Sequence, residues 1–168
     1  LGTAAVATDA NAIAIGTSAQ ASGGASVAIG LQNKAYGNGA VAIGDPSVAI
    51  GTGAFAGGAN STATKDGTQT FASTNAADGA VAIGNSNVAA GQGSVALGNN
   101  SKAGISGKPG GVAIGDAAIA QANTGDVALG SGSQTATVVA TPSMTIGTTN
   151  YNFAGINPTS TVSVGSAG

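Results

Sequence analysis

The sequence predicts an all-β fold, a β-solenoid with coils of about 14 residues, and three observations predict it. A short apolar phrase recurs along the chain, from Ile13-Ala14-Ile15-Gly16 and Val27-Ala28-Ile29-Gly30 to Val112-Ala113-Ile114-Gly115 and Val127-Ala128-Leu129-Gly130. The phrase-ending glycines keep a fixed step: Gly2, Gly16, Gly30 and Gly44 are 14 residues apart, with Gly23, Gly37 and Gly51 midway. Within each phrase Val and Ile stand at i and i+2 with Ala between, the alternation of a strand rather than a helical face.

Each seven-residue half therefore reads as a short strand closed by a turn. Gly after the strand suits a turn that needs positive φ. A seven-residue period could also suggest a coiled coil, but heptads need apolar a and d positions on helix-forming residues. Here nearly every seven carries Gly, at roughly 1 kcal/mol each in a helix, along with β-branched residues. Stacked coils rise by about 4.8 Å, so roughly ten would make a rod about 50 Å long.

The phrase sets an expectation for packing. Val27, Ile29, Val41, Ile43, Val48, Ile50, Val81, Ile83, Val95, Leu97, Val112, Ile114, Val127 and Leu129 would pile up in columns between the two sheets as the repeat core. The Ala columns would then face outward as an apolar stripe along the rod, and such a stripe marks an interface. Self-association follows, with cyclic symmetry the default for identical chains.

Two segments break the period, Ala59–Gly79 and Asn99–Gly110. In solenoids such insertions map to loops, often on a binding face. Lys65, Asp66, Phe71, Lys102 and Lys108 lie in them and are the candidate ligand contacts. Residues 1–137 form the repeat region. From about Val138 the sevens are lost, and residues 138–168 read as a C-terminal connector. There Tyr151 and Phe153 stand two apart, as a small aromatic cluster capping the open end of the rod would require.

Composition narrows the chemistry. The chain of 168 residues has 3% aromatic and 6% charged residues and a formal net charge of −2. A globular core of this length would contain more large side chains, whereas a solenoid coil packs only on its neighbours. Sparse charge argues against nucleic-acid binding, which needs clustered Lys and Arg, and against a polybasic contact with a membrane. There is no Cys, His, Glu or Arg. Ser/His/Asp and Cys/His nucleophile systems cannot be built, nor His-based zinc sites, so no enzyme and no cofactor are expected. Asp9, Asp45 and Asp116 follow or replace the phrase-ending Gly, which is turn chemistry rather than a calcium site with converging oxygens. Leu1-Gly2 reads as the end of a phrase, as though the chain were cut from a longer protein.

The phrase itself is familiar. SVAIG at Ser26–Gly30 and Ser47–Gly51, and SVALG at Ser94–Gly98, resemble the head repeats of trimeric autotransporter adhesins of the YadA type. NFAGINPTST resembles the connectors of that family, and VSVGSAG the start of its neck. The resemblance implies a left-handed parallel β-roll, assembled side by side as a homotrimer. It implies a place on the surface of a Gram-negative bacterium, anchored in the outer membrane by a C-terminal region not present here. It also implies binding to host extracellular matrix or host cells, and in some members self-agglutination. A second class keeps the same rod as a structural spacer with no ligand of its own. Free-standing solenoids fit less well: a hexapeptide acyltransferase needs a six-residue period and a His, and a calcium roll needs Asp in every repeat.

Overall fold

The computed structural model describes residues 2–165. Leu1 and the end of the VSVGSAG stretch, residues 166–168, lie outside the described residues. The chain runs through β1 (Val6–Ala7), β2 (Ile13–Ile15), β3 (Gln20–Ser22), β4 (Val27–Gly30), β5 (Lys34–Tyr36) and β6 (Val41–Asp45). It continues with β7 (Val48–Ile50), β8 (Phe55–Ala59), β9 (Thr62–Thr64), β10 (Val81–Asn85), β11 (Val88–Ala90), β12 (Val95–Asn99) and β13 (Lys102–Ala103). It closes with β14 (Val112–Ile114), β15 (Ile119–Ala120), β16 (Val127–Leu129), β17 (Ser143–Ile146), β18 (Thr149–Asn152) and β19 (Val162–Val164).

Odd strands β1 to β15 form one sheet of eight, and even strands β2 to β16 with β19 form a second sheet of nine. All pairs within these two sheets are parallel. This is the β-solenoid expected from the phrase.

Register measures the repeat. Val6, Gln20, Lys34, Val48 and Thr62 pair in steps of 14. Thr62 then pairs with Val88, 26 residues on, so this coil carries 12 extra residues. Lys102 pairs with Ile119, 17 on, which is three extra. The insertions are therefore shorter than Ala59–Gly79 and Asn99–Gly110. Ala59 ends β8, and Thr62–Thr64 and Lys102–Ala103 are in-register strands. An insertion leaves the backbone ladder only where it must, because each strand residue that stays paired keeps its hydrogen bonds.

The core inverts the expected packing. Ala28, Ala42, Ala56, Ala82, Ala96, Ala113 and Ala128 of the nine-stranded sheet are fully buried. They face Ala21, Ala35, Ala49, Ala63, Ala89, Ala103 and Ala120 of the other sheet. Val27, Ile29, Val41, Ile43, Val81, Ile83, Val95, Leu97, Val112, Ile114, Val127 and Leu129 are not the interior: they are half-buried or exposed on the outside of the nine-stranded sheet. Val48 and Ile50 are buried, but on the outer side of the eight-stranded sheet. The reason is the turns. Residues 16–19 join β2 to β3 and residues 23–26 join β3 to β4. Sheets with large facing side chains sit about 10 Å apart, and such short turns hold the two layers closer, leaving room for methyl groups only.

The turns are stapled from coil to coil. At Gly44, with φ of +136°, a Cβ would run into the carbonyl oxygen of Gly58 in the next coil, so only Gly lets the coils stack at strand spacing. The buried Asn33 amide donates to the carbonyls of Ile29 (2.5 Å) and Gly44 (2.6 Å), and its Oδ1 accepts from the Ser47 N–H. Asn87 repeats this pattern, donating to Ile83 and Gly98 at 2.6 Å and accepting from the Ser101 N–H at 2.8 Å. Two of the acidic turn residues act between coils rather than within their own turns: Asp9 accepts from the Gly23 N–H at 2.7 Å and Asp116 from Asn99 Nδ2 at 2.7 Å.

The C-terminal segment differs from the expected aromatic cap. After β16 the chain leaves the roll, makes the antiparallel hairpin β17–β18, and returns as β19, which pairs with β16. Tyr151 and Phe153 are 52% and 45% exposed and do not seal the end. The open edge of β16 is covered by backbone pairing instead. Strand addition satisfies the whole row of N–H and C=O groups, which two aromatic rings could not do.

Candidate binding surfaces

The roll presents two unlike outer faces. On the nine-stranded sheet the outward positions form two columns. One runs through Ile13, Val27, Val41, Phe55, Val81, Val95, Val112, Val127 and Val162. The other holds Ile15, Ile29, Ile43, Gly57, Ile83, Leu97, Ile114, Leu129 and Val164 in the same rows. Neither column contains a charged or polar side chain. Ile43 and Ile83 are 40% and 43% exposed. Fully burying an Ile is worth about 1.5–3 kcal/mol, so covering the exposed part would add roughly 1 kcal/mol for each such residue.

The eight-stranded sheet carries a mixed face, with Gln20, Lys34, Val48, Thr62, Val88 and Lys102 in one column. The 12-residue insertion lies across it. Thr64 Oγ1 donates to the Thr68 carbonyl at 2.9 Å where the loop leaves the roll. Gly67 passes so close to Val88 Cγ1 that a Cβ would stand 2.8 Å from it. Further on, the Phe71 ring meets Tyr36 edge to face, with centroids 5.8 Å apart. Val48 and Ile50 beneath this crossing are 1% and 0% exposed.

The loop holds itself together with polar contacts. Asp66 accepts from the N–H of Thr68 at 2.8 Å and from its hydroxyl at 2.7 Å. Partial burial pushes the Asp66 carboxyl up, but these bonds and one from Asn75 outweigh it and hold the group below the usual Asp value. Asn75, in a 3-10 turn at Ser73–Asn75, donates to the Thr70 carbonyl at 3.2 Å, and its Oδ1 accepts from the Asp66 N–H at 3.1 Å.

Besides a small cleft of about 180 Å³ at Phe71, two wider clefts flank the draped loop. One, of about 310 Å³, is lined by Ser18, Gln20, Gln32, Lys34, Pro46, Val48 and Gln69. The other, of about 450 Å³, is lined by Lys65, Thr74, Ala76, Gly91, Gln92, Gly107 and Pro109, and it brings the two insertions side by side.

The five candidate contacts fare differently. Lys65 is exposed at the rim of the larger cleft. Lys102 is exposed on β13, on a strand of the roll rather than in a loop. Asp66 and Phe71 hold the loop in place. Lys108 donates to the Ala122 carbonyl at 2.6 Å. The cleft at Lys34 escaped sequence reading, although a signal for it exists. Gln20-Ala21-Ser22 and Lys34-Ala35-Tyr36 put polar residues where the next strand, β7, carries Val48-Ala49-Ile50.

These features define a class of protein: a parallel β-solenoid with one wholly apolar flank and one polar flank remodelled by an insertion. The family profile described as the YadA head domain repeat matches residues 1–19, 21–45, 44–64 and 76–101, and the chain belongs to this family. The match skips residues 65–75, within the insertion that drapes the polar face. No curated protein and no solved structure gives a significant match.

Proposed function

We propose that the chain is the head of a bacterial surface adhesin that attaches to host extracellular matrix or host cells by multivalent, non-catalytic contact. Three copies associate through the apolar flank of the nine-stranded sheet. The polar flanks then face outward, three to a head, and weak contacts add through avidity. The single observation that carries this is the division of the roll. A flank with two unbroken apolar columns needs a cover, and the opposite flank, with its clefts, stays free when that cover is a second copy. Family membership supports a place on the cell surface. Self-agglutination fits the same exposed flanks.

The test joins mass to adhesion. Sedimentation equilibrium should give three times the chain mass of 15.3 kDa. The same preparation should bind immobilised matrix proteins or cultured host cells, and a monomeric variant should bind far less. One observation favours the spacer reading. Asp66, Phe71 and Lys108 are engaged within the chain, so three of the five candidate contacts serve the fold. A trimer that binds no host component would establish the spacer.

A further inference from the structure

The cleft at Lys34 has a composition the fold does not need. Ser18, Gln20, Gln32, Lys34 and Gln69 converge on it from two adjacent coils and the insertion. None of their side-chain polar groups makes a hydrogen bond to another described residue. Several other polar side chains of this roll are engaged within it: Asn33, Asn87, Ser47, Ser61 and Asp66 each bond to backbone. Three amides, a hydroxyl and an ammonium in one concavity are therefore free to meet a ligand.

We propose that this cleft binds a sugar acid, a pyranose bearing a carboxylate. The inference rests on the adhesin reading and names a ligand class for its polar flank. Each glutamine offers a carbonyl acceptor and an NH2 with two donors, the complement of neighbouring sugar hydroxyls. Lys34 is the only ionisable residue lining the cleft, so a single negative charge is the matching partner, held by a charge-assisted bond. Pro46, half-buried at the cleft, gives a small apolar contact for the C–H face of the ring. At about 310 Å³ the space suits one or two sugar units, at the low end of ordinary ligand pockets. Binding to one cleft would be weak, and repetition around an assembled head would supply the strength.

The insertion makes the site. Gln69 is its contribution, and it walls the cleft that the regular coils would leave as an open sheet face. Gln20 and Lys34 are adjacent in their column, which carries Val, Thr or Ile in the other coils except at Lys102 of β13.

The side-chain NH2 signals of the ¹⁵N-labelled chain report on it directly. A hyaluronan tetrasaccharide supplies a uronate, N-acetylneuraminic acid supplies a sialic acid, and chitotetraose is the neutral control. Gln20, Gln32 and Gln69 should shift with at least one of the acids, and the responding acid distinguishes a matrix polysaccharide from a cell-surface glycan end. Lys34→Gln should weaken that response at least tenfold while leaving the melting temperature in place, and chitotetraose should bind at least tenfold more weakly. Gln69→Ala, on the loop side, should weaken it several-fold. No shift with either acid at millimolar concentration overturns the proposal, as does an unchanged Lys34→Gln response or an equal response to chitotetraose. Matrix and cell binding of the same preparations separates the two readings. If the wild type adheres without any saccharide response, the cleft assignment falls and the adhesin reading stands. If saccharide binds and the head does not adhere, the adhesin reading falls instead.

Discussion

Asp126, in the turn before β16, accepts hydrogen bonds from the backbone N–H of Thr161 at 2.8 Å and from its hydroxyl at 3.1 Å, across 35 residues. Its other oxygen accepts from the Asn123 N–H at 2.6 Å. One buried carboxylate thus pins the returning C-terminal strand to the last coil. Burial pushes the Asp126 carboxyl up, but the bonds from Thr161, Thr135 and Asn123 outweigh it and leave the group below the usual Asp value.

Asp126→Ala should loosen β19 by about 1–3 kcal/mol, since it leaves the half-buried Thr161 and Asn123 donors without their partner. Hydrogen exchange at Val162–Val164 should rise while exchange in β4 to β12 stays slow. Because the folded carboxyl sits below its unfolded value of 3.8, the stabilisation is complete above that pH and is lost as pH falls below it. In the wild type, exchange at β19 should therefore accelerate below about pH 4. The variant should show no such step.

The inward alanines and outward isoleucines are expected to respond in opposite ways. Ala82→Leu forces a larger side chain between layers spaced for methyl groups and should cost about 1–3 kcal/mol or more in a thermal melt. Ile83→Asp, one residue on, leaves the single chain folded but puts a charge in the apolar columns. Its effect should appear in sedimentation equilibrium as a shift toward monomer. If Ile83→Asp unfolds the chain and Ala82→Leu is silent, the assignment of inside and outside is reversed.

Two glycines with positive φ separate close approach from backbone preference. Gly53, at φ of +65°, has no atom within 4 Å of a built Cβ, so Gly53→Ala should cost only about 1 kcal/mol, the left-handed penalty for a side chain. Gly44→Ala adds a collision with the next coil's backbone and should cost several-fold more. Denaturant midpoints of the two variants make the comparison.

Joining Thr64 to Ala77 removes the 12 residues that the register counts as extra, so the coil returns to a step of 14. The shortened chain should keep its strand signal in circular dichroism. It should bind more of a hydrophobic dye, because Val48 and Ile50 lose their cover. Loss of roughly 1–2 kcal/mol for each of the two is expected. An unfolded product would mean that the insertion is part of the roll rather than laid on it.

The period of the repeat was legible in the sequence because stacking is translational. Each coil must put a strand beside its predecessor, so the phrase Val-Ala-Ile-Gly recurs at the step the backbone ladder needs, and Gly30, Gly44 and Gly84 recur where coils meet too closely for a Cβ. Strand direction, turn chemistry at Asp9 and Asp116, and the existence of insertions all follow from that local rule. The side of the sheet that faces inward did not follow. Alternation at Val27-Ala28-Ile29 separates two faces without saying which is the core, and hydrophobicity alone favours Val and Ile. The decision belongs to the distance between the sheets, which the short turns of two to four residues set and which only the closed coil reveals. The same holds for the clefts. Lys34 and Gln69 are far apart in the chain, and they share a surface only because the insertion folds back over coils already stacked beneath it.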